Sequence, residues 1–192
     1  MAALFEYYEG PRTHTNSLYG VYGEAQTFIP TMSHSLTYTQ LSLKKVGTIG
    51  NVTVSLRATS SSLPTGSDLI SVVFAGSTLD TSYGWITCTY DSSYAVVAGT
   101  EYAIVILLAG GDSSNYVGVA SDHTGEYANG DSVYSTDSGS SWTSYVDDDL
   151  LFRNYGGYKS GELAGLYAVV EERFHYVDAY GVERYIEGTV VG

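Results

Sequence analysis

The strongest constraint on this chain is a rhythm. Short runs of alternating apolar and hydroxyl residues are cut at close intervals by clusters of Gly, Ser, Asp and Pro. The runs are "EAQTFIP", "HSLTYTQLSLKKV", "NVTVSLRAT", "DLISVVFAG", "GWITCTY", "EYAIVILLA", "NYVGVAS", "SVYST" and "DLLFRNY"; the breakers include "GTIGN", "SSSLPTGS", "AGGDSS", "HTGEYANGD" and "DSGSSW". Strands of this length separated by turn signals predict an antiparallel sandwich or barrel, each strand with one face inward and one outward. The 19 Tyr and 22 Gly among 192 residues suit pleated half-buried surfaces and frequent turns. Core positions are expected at Leu41, Leu43, Val52, Val54, Leu56, Val73, Ile86, Ile104, Ile106 and Leu108. "AIVILL" is apolar on both faces and predicts a strand in the middle of a sheet.

Three segments follow. Residues 1–23 read as an aromatic, polar N-terminal arm, residues 24–157 as the sandwich, and residues 158–192 as a C-terminal extension. In the extension, Leu163, Leu166, Tyr167 and Val170 share helical spacing. A β-hairpin is the preferred reading: "RFHYV" and "VERYI" are rich in Tyr and Val, and "DAYG" supplies a turn. A lone hairpin is marginal in water and calls for a partner surface.

Charge narrows the function classes. The formal net charge is -13 with 8 Lys plus Arg, so no basic stripe can track a phosphate backbone and no direct nucleic-acid partner is expected. No run reaches the length of a membrane span, and the N-terminus lacks the basic region and apolar core of a signal peptide, so synthesis in the cytoplasm without Sec export is expected. Cys88 is the sole cysteine; in "GWITCTY" it reads as a buried small hydrophobe.

No catalytic motif occurs. His14, His34, His123 and His175 are far apart in sequence, there is no HExxH or GxSxG, and "GVYGEA" lacks a P-loop lysine, so no enzyme activity is expected. Two acidic clusters invite a calcium reading: Asp147–Asp148–Asp149, and Asp122, Glu126, Asn129 and Asp131 in a Gly-containing loop. Neither has EF-hand spacing, and solvated loop acids are the preferred reading. Trp85, Trp142, Tyr127 and Tyr145 could stack on sugar rings, which keeps a carbohydrate-binding or adhesin module as the alternative function.

The strands carry a resemblance. The "AQTF" opening, "GNVTVSLRAT", "LPTGSDL", "TEYAIV" and "DSGSSW" before a last strand resemble the jelly-roll-like "choice-of-anchor" domains of phage structural and bacterial surface proteins, over about residues 24–157. The resemblance implies an all-β, jelly-roll-like sandwich that presents surfaces and carries no shared catalytic motif. With short flanking segments and no signal peptide, it implies a virion structural protein, an exterior capsid decoration or head-fibre-like subunit of a tailed bacteriophage. The expected partners are a major capsid or other virion protein and further copies of the chain, a trimer among the closed forms. Expected assembly contacts are Phe5, Glu6, Tyr7 and Tyr8 in the arm, with Glu171, Glu172, Phe174, Tyr176 and Tyr185 in the extension.

Overall fold

The computed structural model describes residues 2–125, 127–145 and 147–158, together with the backbone of two strands, Phe174–Val177 and Glu183–Ile186. The described residues form strands and turns, with one short 3₁₀ turn at Gly76–Thr78 and no α-helix. In chain order the strands are β1 (Ala3–Tyr8), β2 (His14–Leu18), β3 (Gly23–Phe28), β4 (His34–Val46), β5 (Asn51–Ser60), β6 (Leu63–Ala75), β7 (Gly84–Val96), β8 (Tyr102–Leu108), β9 (Tyr116–Asp122), β10 (Ser132–Ser135), β11 (Thr143–Ser144), β12 (Asp149–Leu150), β13 (Phe152–Tyr158), β14 (Phe174–Val177) and β15 (Glu183–Ile186). The chain divides into two compact units, residues 1–157 and 158–192.

The first unit is an all-β sandwich of two antiparallel sheets. One sheet runs β11-β10-β3-β8-β5-β6. In the other, β4 pairs with β7 along one edge, from His34↔Val96 to Leu43↔Gly84. Its opposite edge pairs with β9 from Leu43 to Val46 and with β13. β9 pairs with β2 along its far side and with β12 at its end, so the stretch from β12 to β13 wedges between β9 and β4. β1 closes the far side of β13.

The core lies between the sheets. Leu41, Leu43, Val52, Val54, Leu56, Ile104, Ile106, Val117, Val119 and Phe152 all belong to one cluster and are almost fully buried. β8 sits between β3 and β5 as its two-faced apolarity requires: Ile104 and Ile106 face the core, while Ala103 and Val105 face a second cluster with Ala25, Val133 and Trp142. Cys88 is 1% exposed, and burial pushes its thiol up to about 12, which leaves it an apolar filler.

Several expectations need correcting. Residues 1–23 supply β1 and β2 to the sheet that holds β4. Val73 is 57% exposed; it pairs with Thr53, while Val72 and Phe74 take the core side opposite Val54 and Val52. An unbroken apolar run hides its period, and only the pairing tells the faces apart. Ile86 packs against the core but is half-buried. "SSSLPTGS" is not one broad turn. The chain reverses within Ser61 and Ser62, whose φ values of 52° and 58° meet the demand of a type I′ hairpin. Leu63, Pro64 and Thr65 then pair with Ser60, Thr59 and Ala58. Pro64 is tolerated because β6 is a sheet edge.

In the second unit, β14 and β15 pair antiparallel from Phe174↔Ile186 to Val177↔Glu183, as the sequence predicts. The suggested helical spacing at 163–170 lies outside the described residues.

Chemical denaturation checks the layering. Ile106→Ala, at a fully buried site, should cost about 2–5 kcal/mol, whereas Val73→Thr should stay within about 0.5 kcal/mol of the parent. Equal losses at both positions contradict the assigned faces.

Candidate functional site

The acidic clusters fold inward. Asp122, Asp148 and Asp149 are at most 3% exposed, with Glu24 at 5% and Glu6 at 6%. The expectation of solvated loop acids therefore fails for these aspartates. Asp147, at φ 59°, turns the backbone and stays exposed, while Asp148 and Asp149 after it are both buried. Asn129 and Asp131 are exposed, and Glu126 lies outside the described residues. Among the described residues no group of three or more His, Cys, Asp or Glu side chains is arranged to hold a metal ion.

Two amides organise the buried acids. The Asn16 amide on β2 donates from Nδ2 to Glu24 Oε2 on β3 and to Asp148 Oδ2, both at 3.2 Å. Its Oδ1 accepts from Ser121 Oγ at 3.2 Å. Gln26 on β3 donates from Nε2 to Asp149 Oδ1 at 3.0 Å and accepts the Leu150 backbone N–H at 2.7 Å. Tyr127 N–H completes the Asp149 carboxyl at 3.0 Å. Both amides span the two sheets, so at this end the sandwich closes through hydrogen bonds rather than apolar packing. Amide pairing is required here because a buried carboxyl without partners is heavily penalised.

Burial also sets protonation. Desolvation pushes Glu24 up to about 8, against the hydrogen bond from Asn16, and the neighbouring Asp148 adds to the rise. Desolvation likewise raises Asp149 to about 6 and Glu6 to about 7. Glu24 is therefore mostly a neutral acid at pH 7. Since Oε2 accepts from Asn16, the proton belongs on Oε1. Asp122 behaves oppositely: burial works to raise it, but hydrogen bonds from Tyr8, Thr13 and Thr124 outweigh that and hold it below the usual range.

In front of Glu24 lies a recess of about 260 Å³, lined by β2 and the residues after it (His14, Thr15, Asn16, Ser17, Tyr19, Tyr22), by Glu24, and by Tyr134 and Tyr145. The tyrosines form two pairs, Tyr134–Tyr145 with ring centroids 4.5 Å apart and Tyr19–Tyr22 at 5.0 Å edge to face. His14 stacks on His123 at 3.9 Å, and His123 Nε2 lies 3.4 Å from Asp148 Oδ1. Two histidines 109 apart in number thus stack on each other, with His123 beside Asp148.

The candidate residues from sequence fall in different places. Tyr145 lines the recess. Tyr127 packs edge-on against Phe152. Trp85 lies under the Arg153 guanidinium, 3.9 Å from its ring centroid. Trp142 is 8% exposed and belongs to the second apolar cluster on the outer side of the six-stranded sheet. The turn carrying it is held by Asp137, which accepts from Ser141, Ser135 and Ser140 and is lowered to about 2 by those bonds.

In the first strand, Tyr7 is 54% exposed. Phe5 stacks on the buried His34 at 3.8 Å. Glu6 faces inward, takes Asn154 Nδ2 at 3.4 Å and lies 3.6 Å from His34 Nε2. Tyr8 donates to Asp122 at 2.7 Å. Glu171 and Glu172, and the side chains of Phe174, Tyr176 and Tyr185, lie outside what is described. Sequence reasoning missed Asn16, Glu24, Tyr19, Tyr22 and Tyr134. The available signal was Glu24 at the head of the "AQTF" strand and Asn16 at an inward step of "HTNSL", polar residues where a strand face should be apolar. The chain matches no protein-family model and no curated protein sequence.

The raised carboxyls fix the sign of a pH effect. A carboxyl whose folded value is raised contributes stability in full below its unfolded value near 4 and loses it as pH rises through the folded value. Stability should therefore fall from about pH 4 and level off past about 8, as Asp149, Glu6 and Glu24 lose their protons near 6, 7 and 8 in turn. Thermal melts across this range check it. Glu24→Gln, which keeps the shape and the acceptor for Asn16, should make the whole decline shallower and remove most of what remains of it above about pH 7. A melting temperature that rises with pH, or an unchanged decline in that variant, contradicts the assignment.

Proposed function

We propose that this chain is a non-enzymatic structural subunit of a virion exterior, a capsid decoration or head-fibre-like protein of a tailed bacteriophage. In this reading the sandwich is a jelly-roll-like module of the choice-of-anchor type, held on the particle by a major capsid or other virion protein and by sister copies.

One observation carries the reading: the chain ends in a second compact unit whose described part is a hairpin of four-residue strands. A two-stranded hairpin alone is marginal in water, and a partner surface would stabilise it. Sister copies in a closed oligomer, a trimer among the possible forms, provide one. The resemblance over residues 24–157 supports the same reading. Many copies on one particle add avidity, so each contact can be modest. The net charge of -13 favours docking onto a basic patch.

The test compares the full chain with a variant lacking residues 158–192, using light scattering and co-sedimentation with the candidate shell across a salt series. The expected outcome is a full-length oligomer whose shell binding weakens with salt, and a folded truncated monomer that does neither. A truncated protein that assembles and binds like the full chain contradicts the proposal.

A further inference from the structure

We propose that the tyrosine-lined recess over Glu24 is a saccharide site that takes a single neutral pyranose. This does not rest on the virion reading, since a particle subunit needs no sugar site and a sugar-binding module needs no particle.

The size of the recess comes first. At about 260 Å³ it lies just below the range that holds drug-sized ligands. It suits one ring of a glycan rather than an extended chain, with neighbouring residues of the glycan left in solvent.

The lining has the two chemistries a pyranose needs. A sugar ring presents C–H patches on its faces and hydroxyls around its rim. The Tyr134–Tyr145 pair at one wall and the Tyr19–Tyr22 pair at another offer aromatic surface for the patches. Tyrosine is suited to this because its ring is apolar and its hydroxyl can turn to a sugar hydroxyl. Between the walls lies Glu24, almost fully buried yet lining the recess. Its Oε2 is taken by Asn16, and Oε1 has no hydrogen-bond partner among the described residues. As a protonated acid, Oε1 donates a hydrogen bond, and its remaining lone pair accepts one. A sugar hydroxyl does the same two things. Asn16 is a positioning residue: its Nδ2 is shared between two carboxyls and its Oδ1 is engaged by Ser121, so it fixes Glu24 rather than the ligand.

Electrostatics exclude the competitors. No Lys or Arg lines the recess, and Asp148 stands directly behind Asn16. A phosphate, sulfated sugar or uronic acid would meet the charge of Asp148 with no Lys or Arg to receive it. A wholly apolar occupant would bury the Glu24 carboxyl without a partner, which is costly. A neutral polyol with a C–H face meets neither penalty.

The experiment is saturation-transfer NMR on the intact chain at pH 7. The probes are methyl α-D-glucopyranoside, methyl α-D-mannopyranoside, methyl β-D-galactopyranoside and N-acetyl-D-glucosamine, with D-glucuronate as the anionic comparison. At least one neutral probe should bind saturably, with glucuronate weaker. Tyr145→Ala should weaken that binding about tenfold, the size of one lost stacking contact. Ser17→Trp fills the mouth from an exposed position and should abolish binding even if Tyr145→Ala fails to fold. Trp85→Ala, whose indole lies under Arg153, should leave binding unchanged. The proposal is overturned if a folded wild-type chain binds none of the neutral probes, if Ser17→Trp binds as well as wild type, or if glucuronate binds best.

Discussion

One amide nitrogen, Asn16 Nδ2, holds two carboxyls from different parts of the chain at the same distance, 3.2 Å from Glu24 Oε2 and from Asp148 Oδ2. The acidic end of the sandwich is built around this arrangement. Two carboxylates so close in a dry interior would repel strongly, and burial alone already disfavours charge on either. Protonation of Glu24 removes the conflict, and the amide then supplies a hydrogen bond to each acid. Gln26 repeats the device one inward position along β3, with Asp149 and the Leu150 backbone as its partners. Together the two amides link β2, β3 and the chain entering β12, and so tie one sheet to the other.

The rest of the sandwich relies on a different force. Its middle is apolar, with β8 covered on both faces and the long β4 shared among β7, β9 and β13. Apolar burial is non-directional and tolerates small slips of packing. A network of amides and acids does not, because every unsatisfied group carries its own penalty. The polar end therefore fixes the relative placement of β2, β3 and β12, and with it the walls of the recess, while apolar burial supplies most of the stability. The separation also explains how a chain with 21 Asp and Glu can fold so many of them inward: those that enter are hydrogen-bonded, neutralised, or both.

The sequence revealed the local rules and missed the distant ones. β4 is legible residue for residue in "HSLTYTQLSLKKV", β8 in the two-faced run "AIVILL", and the terminal hairpin in its paired Tyr- and Val-rich segments. These signals need only a period and a turn. β1 and β2 are not legible, because "ALFEYY" and "HTNSL" become strands by pairing with β13 and β9, roughly a hundred residues away or more. The same distance hid the site. Asp148 looks like a solvated loop acid until Asn16 is placed beside it, and Tyr134 and Tyr145 look like edge aromatics until Glu24 is set between them and Tyr19. Among the recess residues Tyr145 alone stands out in the sequence as a sugar contact, on the general ground that loop aromatics can stack on sugars.

The most direct test of this account is the protonation state of Glu24. In the intact chain with carbon-13 in its side-chain carboxyls, the Glu24 resonance, assigned by its loss in Glu24→Gln, can be followed through a pH titration. The account predicts a midpoint near 8, where burial and Asp148 place it. A midpoint near the ordinary 4.5 would mean that Glu24 is charged at neutral pH, and would contradict a sandwich closed by a neutral acid and two amides.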